Sequence, residues 1–324
     1  MNRNHTHLTS LAILGLLFLA LPLRMVFGED FAEFRTHELQ CVIGNNAAMG
    51  EHHQGYNGVF RLTSIHQPES LFVPEWAGLN LEHYFDGSDA GKDQNILFEP
   101  RRSPMEFHKI DDRTAELRQP PTPYWKVESI TRFRLADPYY IDVTFQSTPR
   151  ESVFQGGAMG VFWAGYINNP SDKSIFYLSG GSTLDKPQWQ QFCTQYHTHD
   201  STVKSEGDSF QWKFFPTAPE MLYTHLSKIN YSVPFYYGRF QNMVWIVVFP
   251  EAKGIRFAHS PSGGGATRAR DDQYPAWDFQ FIVPDYKVGQ TYQTQYRAIY
   301  KVWAGREDVL KEVKRYLETS GSRK

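Results

Sequence analysis

Trp125-Lys126-Val127-Glu128-Ser129-Ile130-Thr131-Arg132-Phe133-Arg134-Leu135-Ala136-Asp137-Pro138-Tyr139-Tyr140-Ile141-Asp142-Val143-Thr144-Phe145 holds two alternating runs around one turn signal. In Lys126 to Leu135 apolar and polar side chains alternate at a period of two, the spacing of a half-buried strand. Proline presets its own φ, so Ala136-Asp137-Pro138 reads as a turn with a mechanism. A tight turn between two such runs favours antiparallel pairing. The pattern extends outward. Met105 to Ile110 and Thr114 to Gln119 precede it, Gly160 to Ile167 and Ser174 to Leu178 follow, and Met243 to Phe249 is apolar enough to need cover on both faces. Glu38 to Ile43, Gly58 to Ile65, Leu71 to Val73, Leu79 to Phe85, Trp189 to Tyr196, Phe210 to Phe215, Leu222 to Leu226, Phe235 to Arg239 and Tyr292 to Trp303 also read as strands. Only Arg306 to Thr319 reads as a helix, with Val309, Leu310, Val313, Tyr316 and Leu317 on one stripe. About twenty short strands and one terminal helix make an all-β chain, a large two-sheet antiparallel β sandwich.

The N-terminus is a separate matter. Met1 to Ser10 carries Arg3, Leu11 to Leu23 is uninterrupted and apolar, and Val26-Phe27-Gly28 precedes Glu29. These are the three parts of a secretory signal, and the apolar run is shorter than the roughly 20 residues that span a bilayer. The expected division is a signal peptide over 1–28 and a single β-sandwich domain over 29–324, secreted or periplasmic and free of the membrane after cleavage. The 33 Lys and Arg against 35 Asp and Glu give no electrostatic reason to expect a nucleic-acid partner. Cys41 and Cys193 could form one bridge after export or remain buried thiols. With 24 Phe, 18 Tyr and 8 Trp, rings are available both for a β core and for stacking on sugar faces.

The chemistry-bearing residues cluster in Gly254 to Pro284. A strand ends in His259, a polar loop carries Gly263-Gly264-Gly265, Arg268, Arg270, Asp271 and Asp272, and a second strand is entered through Pro275, Trp277 and Asp278. Such a loop mouth reads either as a small-ligand site or as a solvated connection with a hydrogen-bonded histidine at its base. Asp278 is the best carboxylate for general acid–base work, and Trp277 is a ring to stack on a ligand. His197-Thr198-His199 follows a run read as a strand, where residues i and i+2 share a face. The two imidazoles read as a hydrogen-bonded pair, as proton-transfer groups, or as a metal site with Asp200 or Glu206. Arg239, behind Tyr237, offers a bidentate grip on a carboxylate or sulfate, or an ordinary surface ion pair. Glu75-Trp76 sets a carboxylate beside a ring, and His66 is a candidate for a pocket rim. There is no G-x-S-x-G elbow, P-loop, dinucleotide fingerprint or H-E-x-x-H, so no cofactor is expected.

The mature length and strand order resemble the galactose-mutarotase-like supersandwich. Pro123 to Ser129, His259 to Gly265 and Pro275 to Phe281 resemble segments of exported bacterial proteins. The resemblance implies a sugar or oligosaccharide partner on a concave sheet face, with a histidine acid and a late carboxylate base. His197 or His199 and Asp278 fall in that order, although the family uses glutamate as its base and its asparagine-x-histidine motif is not evident here. The expected function is an exported carbohydrate-active protein, with epimerase, lyase and hydrolase chemistry all open. The alternatives are a non-catalytic glycan-binding module and a metal-dependent enzyme built on the His-x-His pair.

Overall fold

The quoted stretch forms the hairpin its sequence predicts. Strand Val127–Ala136 pairs antiparallel with Tyr140–Pro149, in register from Val127 opposite Pro149 to Ala136 opposite Tyr140. This is a computed structural model, and it describes residues 29–262 and 273–321. The expected signal peptide and the Gly263 to Asp272 part of the glycine-rich loop lie outside the described residues.

The hairpin sits within a nine-stranded antiparallel sheet. Its order runs Trp189–Phe192, Ile175–Leu178, Phe235–Phe240, Met243–Val248, Tyr292–Val302, Tyr140–Pro149, Val127–Ala136, Thr114–Gln119 and Glu106–Asp111. Facing it is a five-stranded sheet in the order Thr202–Lys204, Ile255–Ser260, Ala276–Val283, Met159–Ala164 and Asn80–Phe85. Phe31–Arg35, Leu39–Gly44 and Gly58–Ser64 make a third, small sheet. The fold is an antiparallel β sandwich with a C-terminal helix, Arg306–Gly321.

Three buried apolar clusters follow from strand parity. Trp163, Trp245, Phe257, Trp277, Phe279 and Tyr296 share the core cluster that joins the two large sheets. Tyr237, Val244, Ile246 and Ile299 face outward from the nine-stranded sheet, where Val309, Val313 and Tyr316 of the helix cover them. That explains why Met243–Val248 is apolar on both sides. Phe85, Phe162, Ala164, Ala258 and Ile282 face outward from the five-stranded sheet, beneath Leu222, Tyr223, Phe210, Trp212 and Phe214.

Two readings of the 205–226 region change. Phe210 to Phe215 is not a strand, and Leu222–Thr224 is a single 3-10 turn. The alternation of Phe210, Trp212 and Phe214 comes from rings packing on neighbours, not from a ladder: Trp212 lies 5.1 Å from Phe85 and 5.1 Å from Phe210. The segment is a strap laid across the outer face of the five-stranded sheet. Buried Arg256 of that sheet anchors it, with Nε donating to Asp208 Oδ2 at 2.7 Å and Nη2 to the Phe210 carbonyl at 2.8 Å. The sequence reading also passes over two short helices, Gln94–Leu97 and Glu99–Arg102. Cys41 is buried, Cys193 is exposed, and no disulfide joins them. Among the described residues, no helix is long and apolar enough to cross a membrane.

Trp277 packs its ring where a Cβ on Gly238 would stand 2.3 Å away, so the two sheets meet at this glycine. Trp277→Ala should therefore cost about 3–5 kcal/mol through the cavity it leaves. Urea unfolding followed by circular dichroism measures this; a loss below about 1 kcal/mol would contradict the packing.

Candidate functional site

A cavity of about 190 Å³ opens on the outer face of the five-stranded sheet, under the strap. Its polar lining comes from five separate places: Glu82 and His83, Arg101, Tyr166, His197, and Asp278 with Ser260. Tyr56, Phe98, Phe162, Leu222 and Tyr223 supply the apolar walls.

Neighbouring residues of a strand normally point to opposite faces. Glu82 and His83 both reach this cavity because the ladder slips between them. Leu81 pairs with Trp163 and His83 with Phe162, which leaves Glu82 as the extra residue of a β-bulge. Bulges re-aim side chains in this way. Glu82 Oε2 then accepts from Asn80 Nδ2 at 3.0 Å and from the Tyr166 hydroxyl at 2.6 Å. Its Oε1 lies 3.5 Å from His83 Nε2 and 3.7 Å from Arg101 Nη1. His83 Nδ1 donates to the Leu97 carbonyl at 2.7 Å, which fixes its ring. Arg101 comes from the short Glu99–Arg102 helix. Its Nε donates to the Gly55 carbonyl at 2.8 Å, and its guanidinium lies 3.7 Å over the Tyr56 ring.

Asp278 stands in a different environment. It is 1% exposed, and Oδ1 accepts one backbone N–H, from Gly165 at 3.0 Å. Desolvation pushes its carboxyl well above the usual carboxylate range; the Gly165 amide opposes this, and the charge of Glu82 adds to it. Glu82 has two donors and a nearby cation, whereas Asp278 has one donor. The two carboxyl groups thus share one cavity in different hydrogen-bonding surroundings.

His197 is the third titratable group. The Ser260 hydroxyl donates to the Ser262 carbonyl at 2.6 Å, so Ser260 Oγ accepts from His197 Nδ1–H at 3.1 Å. Nε2 is then the lone-pair nitrogen of a neutral ring. Burial lowers its pKa to about 4, with the charge of Glu82 pulling the other way.

Of the residues singled out from sequence, the cavity brings together His197 and Asp278. The others stand elsewhere, each for a physical reason. His199 is exposed and edge-on to Tyr196, because residues 195–200 form turns and the i, i+2 rule of a strand does not apply. His259 falls on the core side of its strand. It is fully buried, with Nδ1 accepting from the Thr194 amide at 3.2 Å and Nε2 donating to the Lys173 carbonyl at 2.8 Å. Trp277 has the parity opposite to Asp278 and lies in the core, where Nε1 donates to the same Lys173 carbonyl at 2.7 Å. Tyr237 and Arg239 belong to the nine-stranded sheet. Tyr237 is under the C-terminal helix, accepting from Arg306 Nε at 3.0 Å, and Arg239 lies 4.8 Å over Trp303. Neither faces the cavity.

His66 is an exposed turn residue 3.7 Å from Glu38, and Glu75 is exposed. Trp76 is one ring removed from the site, 6.4 Å from Tyr56 and 5.0 Å from Tyr166. No group of three or more His, Cys, Asp or Glu side chains is placed to hold a metal among the described residues.

No protein-family model matches the chain, and no curated protein matches its sequence. Solved structures do match. One, from Escherichia coli K12, is described as a candidate aldose 1-epimerase. It is 8% identical, the match covers 84% of this chain and 99% of that one, and the TM-score is 0.51. A galactose mutarotase-like protein from Lactobacillus casei is 7% identical over 83% of this chain and 99% of its own, with a TM-score of 0.44. A heparan sulfate lyase from Pedobacter heparinus is 9% identical over 86% of this chain and 36% of its own, again at 0.44. The likeness is one of fold. It places the chain's sandwich beside the galactose-mutarotase-like architecture.

The buried groups carry a pH signature. His197 and His259 are both lowered from 6.5 to about 4, chiefly by burial. Between those values the unfolded chain binds more protons at these rings. Their contribution to stability is therefore full above 6.5 and is lost as pH falls towards 4. Asp278 has the opposite sign: it keeps a proton that an unfolded carboxyl releases near ~3.9, and its contribution fades as pH rises from there. A proton–carbon NMR titration should show both imidazoles still neutral at about pH 5. A His197 midpoint near the ordinary value would remove the desolvated reading of this cavity.

Proposed function

We propose that the chain is an exported carbohydrate-active enzyme that moves protons at the hemiacetal of a free sugar in the Glu82–His197–Asp278 cavity. The observation that carries this reading is the meeting, in one cavity, of Asp278, whose carboxyl burial pushes well above the usual carboxylate range, and His197, whose imidazole pKa burial lowers to about 4. The first then serves as the acid and the second as the base. That reverses the roles drawn from resemblance, in which histidine is the acid and Asp278 the base.

In this reading Asp278 donates its proton to the ring oxygen, while His197 Nε2 accepts the proton of the anomeric hydroxyl. The C1–O5 bond breaks and the open-chain aldehyde forms, with Asp278 now anionic and His197 cationic. Rotation about C1–C2 and the reverse transfers close the ring on either face, restoring both groups, so sugar anomers interconvert with no net change of atoms. The charge of Glu82, held in place by Tyr166 and Asn80, favours the imidazolium as it forms. Arg101 offers donors to sugar hydroxyls, and Tyr56 and Tyr223 offer ring faces.

The size of the cavity supports a single sugar ring, since about 190 Å³ is below the roughly 300–1,000 Å³ of drug-sized sites. The Escherichia coli neighbour is described as a candidate aldose 1-epimerase, which is the same substrate class.

Polarimetry on freshly dissolved aldoses, with NMR exchange between anomers at equilibrium, tests the reading. Asp278→Asn and His197→Gln are each expected to reduce kcat by roughly 10²–10⁴ with sugar affinity largely kept. Binding of aldoses without catalysis by the wild-type chain would leave the non-catalytic sugar-binding reading in its place.

A further inference from the structure

A second cavity, of about 550 Å³, adjoins the first. Phe98 and Arg101 line both, so they form the wall between the two. The rest of the second lining includes Asn46, Gln54, Arg102 and Ser103. Its charges are all of one sign: two guanidinium groups and, among the described residues, no carboxylate. The first cavity, by contrast, holds Glu82 and Asp278.

The cations are held in place for contact. Arg101 is sandwiched between Tyr56 at 3.7 Å and Phe98 at 4.8 Å, and only 15% of its side chain is exposed. Among the described residues, the carboxylate beside it is Glu82, which lies at 3.7 Å and lines the first cavity, beyond hydrogen-bonding range. Arg102 is exposed, lies 5.9 Å from the centre of the Phe98 ring and donates to Asn95 Oδ1. Asn46 Nδ2 donates to the carbonyls of Arg101 and Ser103 at 2.9 and 2.7 Å, which pins the end of the short helix that carries both arginines. Guanidinium groups of this kind suit a planar carboxylate, and the half-buried Phe98 ring suits the apolar face of a sugar.

We infer that this cavity is a subsite for a second sugar ring bearing a carboxylate, a uronic acid, attached to the ring in the first cavity. The inference deepens the proposed function and rests on it for the identity of the first ring. It makes the preferred ligand an acidic disaccharide or longer chain, with the neutral ring at its reducing end.

Isothermal titration calorimetry on the full chain tests it with two probes: a uronic acid–aldose disaccharide, and the neutral disaccharide in which a hydroxymethyl group replaces the carboxylate. The acidic probe should bind on the order of tenfold more tightly, as expected for hydrogen bonds to a charged group. Added salt should narrow the difference. Arg102→Gln, at an exposed position, should abolish most of the preference; Arg101→Gln removes a packed group, so Arg102 is the decisive variant. Equal affinities for the two probes, or a preference unchanged in Arg102→Gln, would overturn the subsite. These failures differ from failure of the proposed function. In that case aldoses show no anomer exchange whatever the disaccharides do.

Discussion

Removing two carboxyl groups from water in one small space is the constraint from which the site follows. A buried carboxylate without partners is costly, and burial accordingly holds the Asp278 carboxyl well above the usual carboxylate range. Here the Gly165 amide alone serves Asp278, while Tyr166 and Asn80 serve Glu82. The same water-poor space holds His197 neutral. In the proposed reading, acid and base are set apart by solvation and hydrogen bonding rather than by residue type. This is why a histidine and an aspartate can exchange the roles their side chains suggest.

The sandwich supplies that space by using its two outer faces differently. The nine-stranded sheet spends its outer face on the C-terminal helix, where Tyr139, Tyr140 and Lys301 all converge on Glu312. The outer face of the five-stranded sheet is covered by a strap without regular structure, tied down by the Arg256–Asp208 pair. Aromatic rings close most of this layer: Phe85 and Tyr223 stack at 3.9 Å. What the strap and the Glu99–Arg102 helix leave uncovered is the cavity and its neighbour.

The architecture was legible because strand periodicity repeats locally and hairpin turns announce themselves, as Asp137-Pro138 does between two alternating runs. The Arg306–Gly321 helix was legible for the same reason, since Val309, Val313 and Tyr316 recur at helical spacing. The site was only partly legible. His197 and Asp278 stood out as titratable residues near strand ends. Glu82 and His83 did not, because the alternation of Asn80–Phe85 assigns them to opposite faces and nothing in the letters marks a bulge. Arg101 lies in four helical residues too short to show a period. Conversely, His259, Trp277, Tyr237 and Arg239 attracted notice by residue type, yet parity or sheet membership turns each away from the cavity.

Fold class, hairpin order along the chain and the terminal helix can be read from the residues alone, since these depend on contacts between residues close in sequence or on a repeating polarity. Only the tertiary structure decided which side of each strand faces the cavity, and which carboxyl group loses its water. Those outcomes depend on pairing register and on neighbours up to more than a hundred residues away, such as Gly165 for Asp278. Register shifts by a single residue reverse every side chain, and no local pattern records them.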